Sequence, residues 1–351
     1  WVIHRADLQK ALIAAIADEP GITLTLGATV VDCAIDPIGV RASVSFPTLD
    51  SLNSIIARES GRSSNPQQIV GNASLGVTGC PAFAGHDTKN GMNRQSRSAN
   101  LDRDTARRVE YSGTALIGAD GLWSRVRALL GDGTAPRFAG RAAFRALIPA
   151  GQLSPQDREP IINMWIGPDG HLVHYPVRAG AAVNVVAVCG DRLQSPAWNA
   201  GAGRDEVLER FPAAAWAPAA RDLLATPERW QKWALCDRKP STSWGRGPVT
   251  LLGDAAHPTL PFLAQGAAMA IEDAFILAGE LARSPGDRIA ALRDYEAARR
   301  ARTARVQRAS RRNDFHFHLR QPAAFVRDAV LRALGGDRLL AQYDWIYQWR
   351  P

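Results

Sequence analysis

No part of this chain restricts its fold more than the stretch from Val249 to Asp273. Val249 to Leu252 is an apolar run with the length of a buried strand. Gly253-Asp254 breaks the run and leaves one carboxylate at the strand's C-terminal end. Pro258 and Pro261 follow, stiffening the loop and removing two backbone donors. Gly266 lets another backbone or a ligand come close. After it Ala267, Ala270, Ile271, Ala274 and Leu277 recur at helical spacing. A helix start offers free N–H groups and the positive end of the dipole. Strand, acid, rigid loop and small-residue helix start make a site for a polar, partly anionic ring or a phosphate. The plain alternative is an ordinary strand–loop–helix corner.

A second stretch has the same grammar. Arg108 to Tyr111 and Ala115 to Ile117 read as a strand ending at Gly118-Ala119-Asp120-Gly121. Leu122 to Leu130 then reads as a helix, with Ser124, Arg125 and Arg127 in its first turns. A strand that ends in Asp-Gly before a helix fits a doubly wound α/β fold, where ligands sit at strand ends. A simple Asp-Gly turn explains it equally well.

The chain begins with a helix from His4-Arg5, whose apolar face is Leu8, Leu12, Ala15 and Ile16, ended by Pro20-Gly21. Residues 22–26, 28–35 and 39–44 alternate as half-buried strands do. From Phe46 to Arg108 the pattern collapses into Ser, Asn, Gly and Arg. Such a composition buries too little apolar surface to offset its ordering entropy and predicts a disordered insertion, or an unspliced or misread coding stretch. Cys80, His86 and Asp87 lie in it without assigned chemistry. Residues 138–149 and 161–189 read as sheet, with turns at Gly167 to Gly170 and at Ala179-Gly180. On the middle strand His171, Val173 and Tyr175 share one face. His171 and Tyr175 are either ordinary half-buried strand residues or the polar wall of a pocket. Residues 190–240 read as loops and short helices, with Trp198, Trp216, Trp230 and Trp233 as core filling. Glu280 to Asn313 reads as one helix, and the aromatic end, Tyr343 to Trp349, is expected to dock on the sheet.

The 351 residues, 46% hydrophobic, suffice for two domains. No apolar run is long enough for a transmembrane helix, and the first residues are not a signal peptide. Four scattered cysteines without a C-x-x-C pair fit reduced thiols better than disulfides or zinc. The net charge is +8, but Arg293 to Arg312 alone holds eight arginines against Asp294 and Glu296. That reads as a solvated, cofactor-facing basic helix rather than a nucleic-acid surface, because no binding motif accompanies it.

Gly253-Asp254-Ala255-Ala256-His257-Pro258-x-x-Pro261-x-x-Ala264-Gln265-Gly266 resembles the GD motif of single-component FAD-dependent aromatic hydroxylases, the salicylate and hydroxybenzoate hydroxylase group. Ala264 stands where the family has glycine. Gly118-Ala119-Asp120-Gly121-x-x-Ser124-x-Val126-Arg127 resembles the DG motif, and His4-Arg5-x-Asp7-Leu8 resembles a segment whose arginine reaches the cofactor. The resemblance covers residues 1–45 and 109–351 and implies an α/β fold. Its parts are a doubly wound FAD-binding domain lacking its first βαβ unit, an inserted mixed-sheet substrate domain and C-terminal helices. The implied domains are 1–137 (with 46–108 as insertion), 138–245 and 246–351.

By resemblance, Arg5, Asp120, Arg127, Gly253, Asp254, Gly266, Ala267 and Ala268 serve FAD. His171, Tyr175 and Pro261 form the catalytic side, and no metal is implied. The implied reaction is hydroxylation of a phenolic acid with NAD(P)H and O2 in the cytoplasm, without nucleic acid or membrane; a homodimer is compatible with it. The family's opening G-x-G-x-x-G turn is missing, so the chain reads as N-terminally incomplete. The alternative is a non-catalytic fragment that does not bind FAD.

Overall fold

The computed structural model describes residues 3–36, 39–46, 107–191 and 199–350. In chain order come α1 (Arg5–Ala17), β1 (Thr29–Asp36), β2 (Gly39–Phe46), β3 (Arg107–Gly113), β4 (Leu116–Gly118) and α2 (Arg125–Leu129). Then follow β5 (Arg137–Pro149), β6 (Asn163–Gly167), β7 (Gly170–Val177), β8 (Ala182–Gly190), β9 (Asn199–Gly203), α3 (Arg204–Arg210), α4 (Pro218–Ala225) and β10 (Arg229–Asp237). The chain closes with β11 (Val249–Leu251), α5 (Gly266–Arg283), α6 (Arg288–Phe317), α7 (Ala323–Ala341) and α8 (Asp344–Tyr347).

Three sheets organise these elements. β1-β2-β3 is an antiparallel ribbon, with Val44 opposite Val109 and Phe46 opposite Arg107. β4 and β11 form a short parallel pair, with Gly118 opposite Leu251. The large sheet runs β6-β7-β8-β5-β10-β9 and is antiparallel at every described pairing, where mixed pairing was expected. The long strands alternate, so each face of this sheet is built from every second residue. One face carries Ala142, Phe144, Ile148, Leu172 and Val185. It is sealed by Val207 and Phe211, by Trp216, and by Leu223 and Leu224 of α4. The parallel pair packs in a second core with Val126, Trp244, Leu292 and Tyr295. Among the described residues no helix is long and apolar enough to cross a membrane.

Several sequence expectations change. Residues 22–26 form no strand, and Ile22, Leu24 and Leu26 are exposed. Their alternation lacks the partner strand that would reward it. No residue of α1 is fully buried; of its apolar stripe Leu8 and Ile16 are half-buried and Leu12 and Ala15 exposed. The strand expected over 108–117 splits between two sheets, because the chain leaves the ribbon at Gly113 and enters the parallel pair at Leu116. The helix after Asp120 is only five residues long, delayed by Gly121 at φ 77°. Residues 190–240, expected as loops and short helices, include the nine-residue strand β10. Trp230 and Trp216 do fill the core, as expected. The helix expected over 280–313 is two helices, broken between Arg283 and Arg288. The expectations for residues 46–108, Phe46 and Arg107–Arg108 aside, and for Trp198 lie outside the described residues.

Candidate functional site

The parallel pair brings the two Asp motifs side by side. Leu252 N–H donates to the Gly118 carbonyl (2.9 Å), so both strands end at one edge. Asp120 turns back onto α2. Its carboxylate accepts from Ser124 Oγ (2.5 Å), Arg125 N–H (2.7 Å) and Val126 N–H (3.2 Å). Arg127, expected at the cofactor, is buried. It donates to the Ala255 and Ala256 carbonyls (2.9 and 3.0 Å) and to Asp132 (2.7 Å), tying α2 to the loop after β11.

Asp254 differs from both. Its side chain is exposed and makes no hydrogen bond or ion pair among the described residues. Protein nevertheless crowds it, and that burial raises its pKa against the opposing pull of His257 and Arg5. Accessible but crowded is the environment of a cleft. Gly266 opens the eighteen-residue α5 beside it: a Cβ there would lie 3.8 Å from the Asp254 carboxylate and 3.6 Å from Thr259. No side chain caps that helix start, so the first-turn N–H groups of Gly266, Ala267 and Ala268 are available to a ligand. The donor set suits a group with ring carbonyls and sugar-like hydroxyls, such as FAD: a carboxylate to accept, helix N–H groups to donate, and glycine where contact is closest.

A buried network holds the loop in shape. Gly253, at φ 61°, donates its N–H to Asp273 (3.0 Å), and a Cβ there would press on Ala270 at 3.2 Å. Asp273 also takes His257 Nε2 (2.5 Å) and Arg299 Nε (2.7 Å). Burial would raise the Asp273 pKa, but His257 and Arg299 outweigh it and hold the group below the usual carboxylate range. Glu272 receives Arg299 (2.6 Å) and Arg302 (2.8 Å). Further along α6 a polar stripe clamps the Pro-rich loop. Gln307 donates to the Pro258 carbonyl (2.8 Å), Ser310 to Leu260 (2.6 Å) and Asn313 to Phe262 (3.2 Å).

α6 is therefore not the solvated basic helix expected from its charge. Arg299 is 0% exposed. The aromatic C-terminus docks on these arginines rather than on the sheet. Trp345 stacks on Arg305 (3.9 Å), and Trp349 lies over Arg302 (4.5 Å) and Arg299 (4.9 Å).

The second face of the large sheet is half covered. Register places His171, Val188, Ala143 and Trp233 in one row, and Met164, Val173, Val186, Arg145 and Gln231 in the next. The first row lies under Leu260, Phe262 and Phe317. The next is open, and Met164, Arg145 and Gln231 are exposed. Pro261 has no polar side chain. It starts the short turn that sets Phe262 against His171, ring centroids 5.5 Å apart. Tyr175 is half-buried beyond the cover. Arg145 has no described hydrogen bond or acid partner, and crowding lowers its pKa, opposed by Tyr175 and reinforced by Arg5. Arg5 thus lies within charge range of both Asp254 and Arg145.

Sequence reasoning missed Asp273, Arg299, Arg145, the His171 partner His318 and the His318 partner Asp314. One signal was present: Asp273 stands on the apolar stripe Met269-Asp273-Leu277, where a carboxylate requires a partner.

A model of the FAD binding domain matches residues 78–310, starting inside the stretch read as an insertion. The chain is 41% identical over 238 residues to 3-hydroxybenzoate 6-hydroxylase 1 of Aquipseudomonas alcaligenes, covering 67% of this chain and 59% of that protein. It is 35% identical over 262 residues to salicylate hydroxylase of Pseudomonas putida, covering 68% and 59%. The matched region thus spans about three fifths of the length of each of these relatives. Among solved structures, a salicylate hydroxylase substrate complex superposes on 99% of this chain and 73% of its own, with a TM-score of 0.70 and 26% identity.

Proposed function

Because this chain belongs to the FAD binding domain family, we propose that it is part of a flavin-dependent monooxygenase. The substrate would be a phenolic acid of the salicylate or hydroxybenzoate type, with NAD(P)H and O2 as co-substrates. The observation that carries the reading is a pair of accessible, unpartnered charges within range of Arg5. An accessible carboxylate, Asp254, and an uncapped helix start stand on one side, and an open sheet face with an unpaired cation, Arg145, stands on the other. Bound FAD would supply the electron and oxygen chemistry. Residues 1–137 and 246–351 would hold it, and residues 138–245 would hold the ring.

The remaining work falls to the chain's own side chains. Asp254 accepts from hydroxyl or N–H groups, and the N–H groups of Gly266 to Ala268 donate to carbonyl oxygens. Arg145 pairs with the substrate carboxylate, which gives a crowded guanidinium the counter-charge it lacks. Tyr175 and His171 border the ring on the same strand face and orient its hydroxyl. Phe262 and Phe317 keep water from the covered row. Asp120 and Arg127 act by fixing α2 and the loop.

Titrating FAD into the chain and following flavin fluorescence tests the cofactor half. Saturable quenching is expected, weakened at least about tenfold in Asp254→Ala, since a hydrogen bond to a charged group contributes roughly 1.5–3 kcal/mol. Absence of quenching in the parent chain would favour a fragment that does not bind FAD. Titrating 3-hydroxybenzoate tests the substrate half: Arg145→Leu should bind it more weakly while FAD affinity holds.

A further inference from the structure

The hairpin between β7 and β8 breaks a rule of turn chemistry. Gly180 N–H donates to the Val177 carbonyl (3.1 Å), so Arg178 and Ala179 are the two central residues of the turn. Both lie in the left-handed region, at φ 56° and 51°, and Gly180 follows at 86°. Hairpin turns of this hand are normally built from Asn, Asp and Gly, because a Cβ at positive φ crowds the backbone. Here an arginine and an alanine hold the central places. The strands on either side are regular, with Val177 opposite Ala182. A strained residue kept in an otherwise sound turn points to work done by its side chain.

That side chain reaches α1. Arg178 donates from Nε and Nη2 to the two carboxylate oxygens of Asp7 (3.0 and 3.2 Å), and its Nη2 lies 3.4 Å from His4 Nδ1. The hydrogen bond from Arg178 is the main cause that holds the Asp7 pKa below the ordinary carboxylate value. Both side chains are open to solvent, so the pair adds little to global stability. Its two-point form fixes direction instead. α1 depends on such a grip, because none of its residues is fully buried. Residues two apart on a helix project about 200° apart, so holding Asp7 on the hairpin turns Arg5 to the other side of the same turn. Arg5 makes no hydrogen bond or ion pair among the described residues, so its place is set by where α1 is held.

We propose that Arg178 is a positioning residue: through Asp7 it holds the first turn of α1 on the β7–β8 hairpin and so keeps Arg5 within charge range of Asp254. Its value to a ligand rests on the flavin reading above. β7 carries His171 and Tyr175 on its way to the hairpin, and α1 carries Arg5. The clasp therefore ties the ring-side strand to an arginine on the cofactor side. Arg178 touches neither ligand. Its strain at the turn is offset by that order.

Titrating the Asp254 carboxylate by carbon NMR on the aspartate-labelled chain tests this without any ligand, so its failure is separate from failure of the flavin reading. The signal is assigned with Asp254→Asn. Arg5→Ala should raise the Asp254 midpoint, because Arg5 is one of the two cations that oppose burial there. Arg178→Gly should raise it too, and adding Arg178→Gly to Arg5→Ala should raise it no further. Glycine suits a positive φ, so Arg178→Gly should also leave the melting temperature level or raise it. An arginine with a merely structural role would do the reverse, lowering the melting temperature and leaving Asp254 untouched. Exchanging the partners, Arg178→Asp with Asp7→Arg, rebuilds the pair, and aspartate tolerates the left-handed turn. The exchanged chain should regain the parent midpoint, which Arg178→Asp alone should not. An Asp254 midpoint indifferent to Arg5→Ala, one indifferent to Arg178→Gly, or one that Arg178→Gly moves as far without Arg5 as with it would each overturn the clasp.

Discussion

Asp254 meets solvent without a described hydrogen bond, whereas Asp273, behind the same loop, is fully buried and holds Gly253, His257 and Arg299. The two acids should therefore fail differently. Asp254→Ala should leave unfolding in urea within about 0.5 kcal/mol of the parent. Asp273→Ala takes the acceptor from Gly253 N–H, His257 and the Arg299 Nε and leaves Arg299 only Glu272 as a described acid partner, and should cost about 3–5 kcal/mol by the same measurement. Ala264 gives a third expectation. It sits at φ 52°, ψ 30°, in the left-handed region. Alanine there is strained by roughly 1–2 kcal/mol, and glycine's larger unfolded entropy offsets up to about 1 kcal/mol of that. Ala264→Gly should raise the melting temperature by about 1–3 °C; a fall would mean that the methyl packs usefully. Gly253, Asp254 and Gly266 were legible in the sequence because their work is local: a turn, a strand end, a helix start. Asp273 stands in the same stretch, yet its partners come from α6 and from the loop, which no spacing along the chain reveals.

At the level of elements, periodicity guided well where a partner strand exists, failed at residues 22–26, and charge guided poorly. β2, β5, β7 and β8 lie where alternation placed them. The basic run of α6 was misread because a count of arginines does not show which face each takes. Thr303, Gln307, Ser310 and Asn313 at helical spacing were the better clue, since a buried polar stripe must find backbone or side-chain partners. β10 was missed because Trp230 and Trp233 read as filling rather than as strand residues. The ribbon offers a test of the long stretch between β2 and β3. Phe46 and Arg107 are directly opposite in register, the geometry a two-residue hairpin closes. Replacing residues 47–106 by Asn-Gly should therefore preserve the β1-β2-β3 ribbon, read as unchanged strand amide shifts and a melting temperature within a few degrees. Loss of those shifts would make the stretch a structural part of the protein.

Across the whole molecule, stability draws on several buried ionisable groups, so acid should weaken the fold. His171 is pushed down to about 3 from 6.5, chiefly by burial. A base with a depressed folded pKa stays neutral in the fold but charges in the unfolded chain. Its contribution is complete above the unfolded value and is lost as pH falls from 6.5 toward 3. The loss can reach about 1.4 kcal/mol per pH unit for one proton. Because His171 and His318 interact directly, that slope belongs to the pair. Asp273 and Asp314 act lower on the scale. Both are held below the ordinary carboxylate value despite burial, so their contribution is complete above that value and is lost as pH falls through the folded pKa. Urea midpoints should thus be flat from pH 8 to 7, decline gently below 6.5 and fall steeply below about 4. His171→Phe, which removes the proton acceptor but keeps an aromatic ring against Phe262 and Phe317, should make the gentle decline shallower, the remainder belonging to His174, whose pKa burial also lowers, and leave the steep one. Were the variant to keep the full decline between pH 6.5 and 4.5, the protons responsible would lie elsewhere than in the covered row of the large sheet.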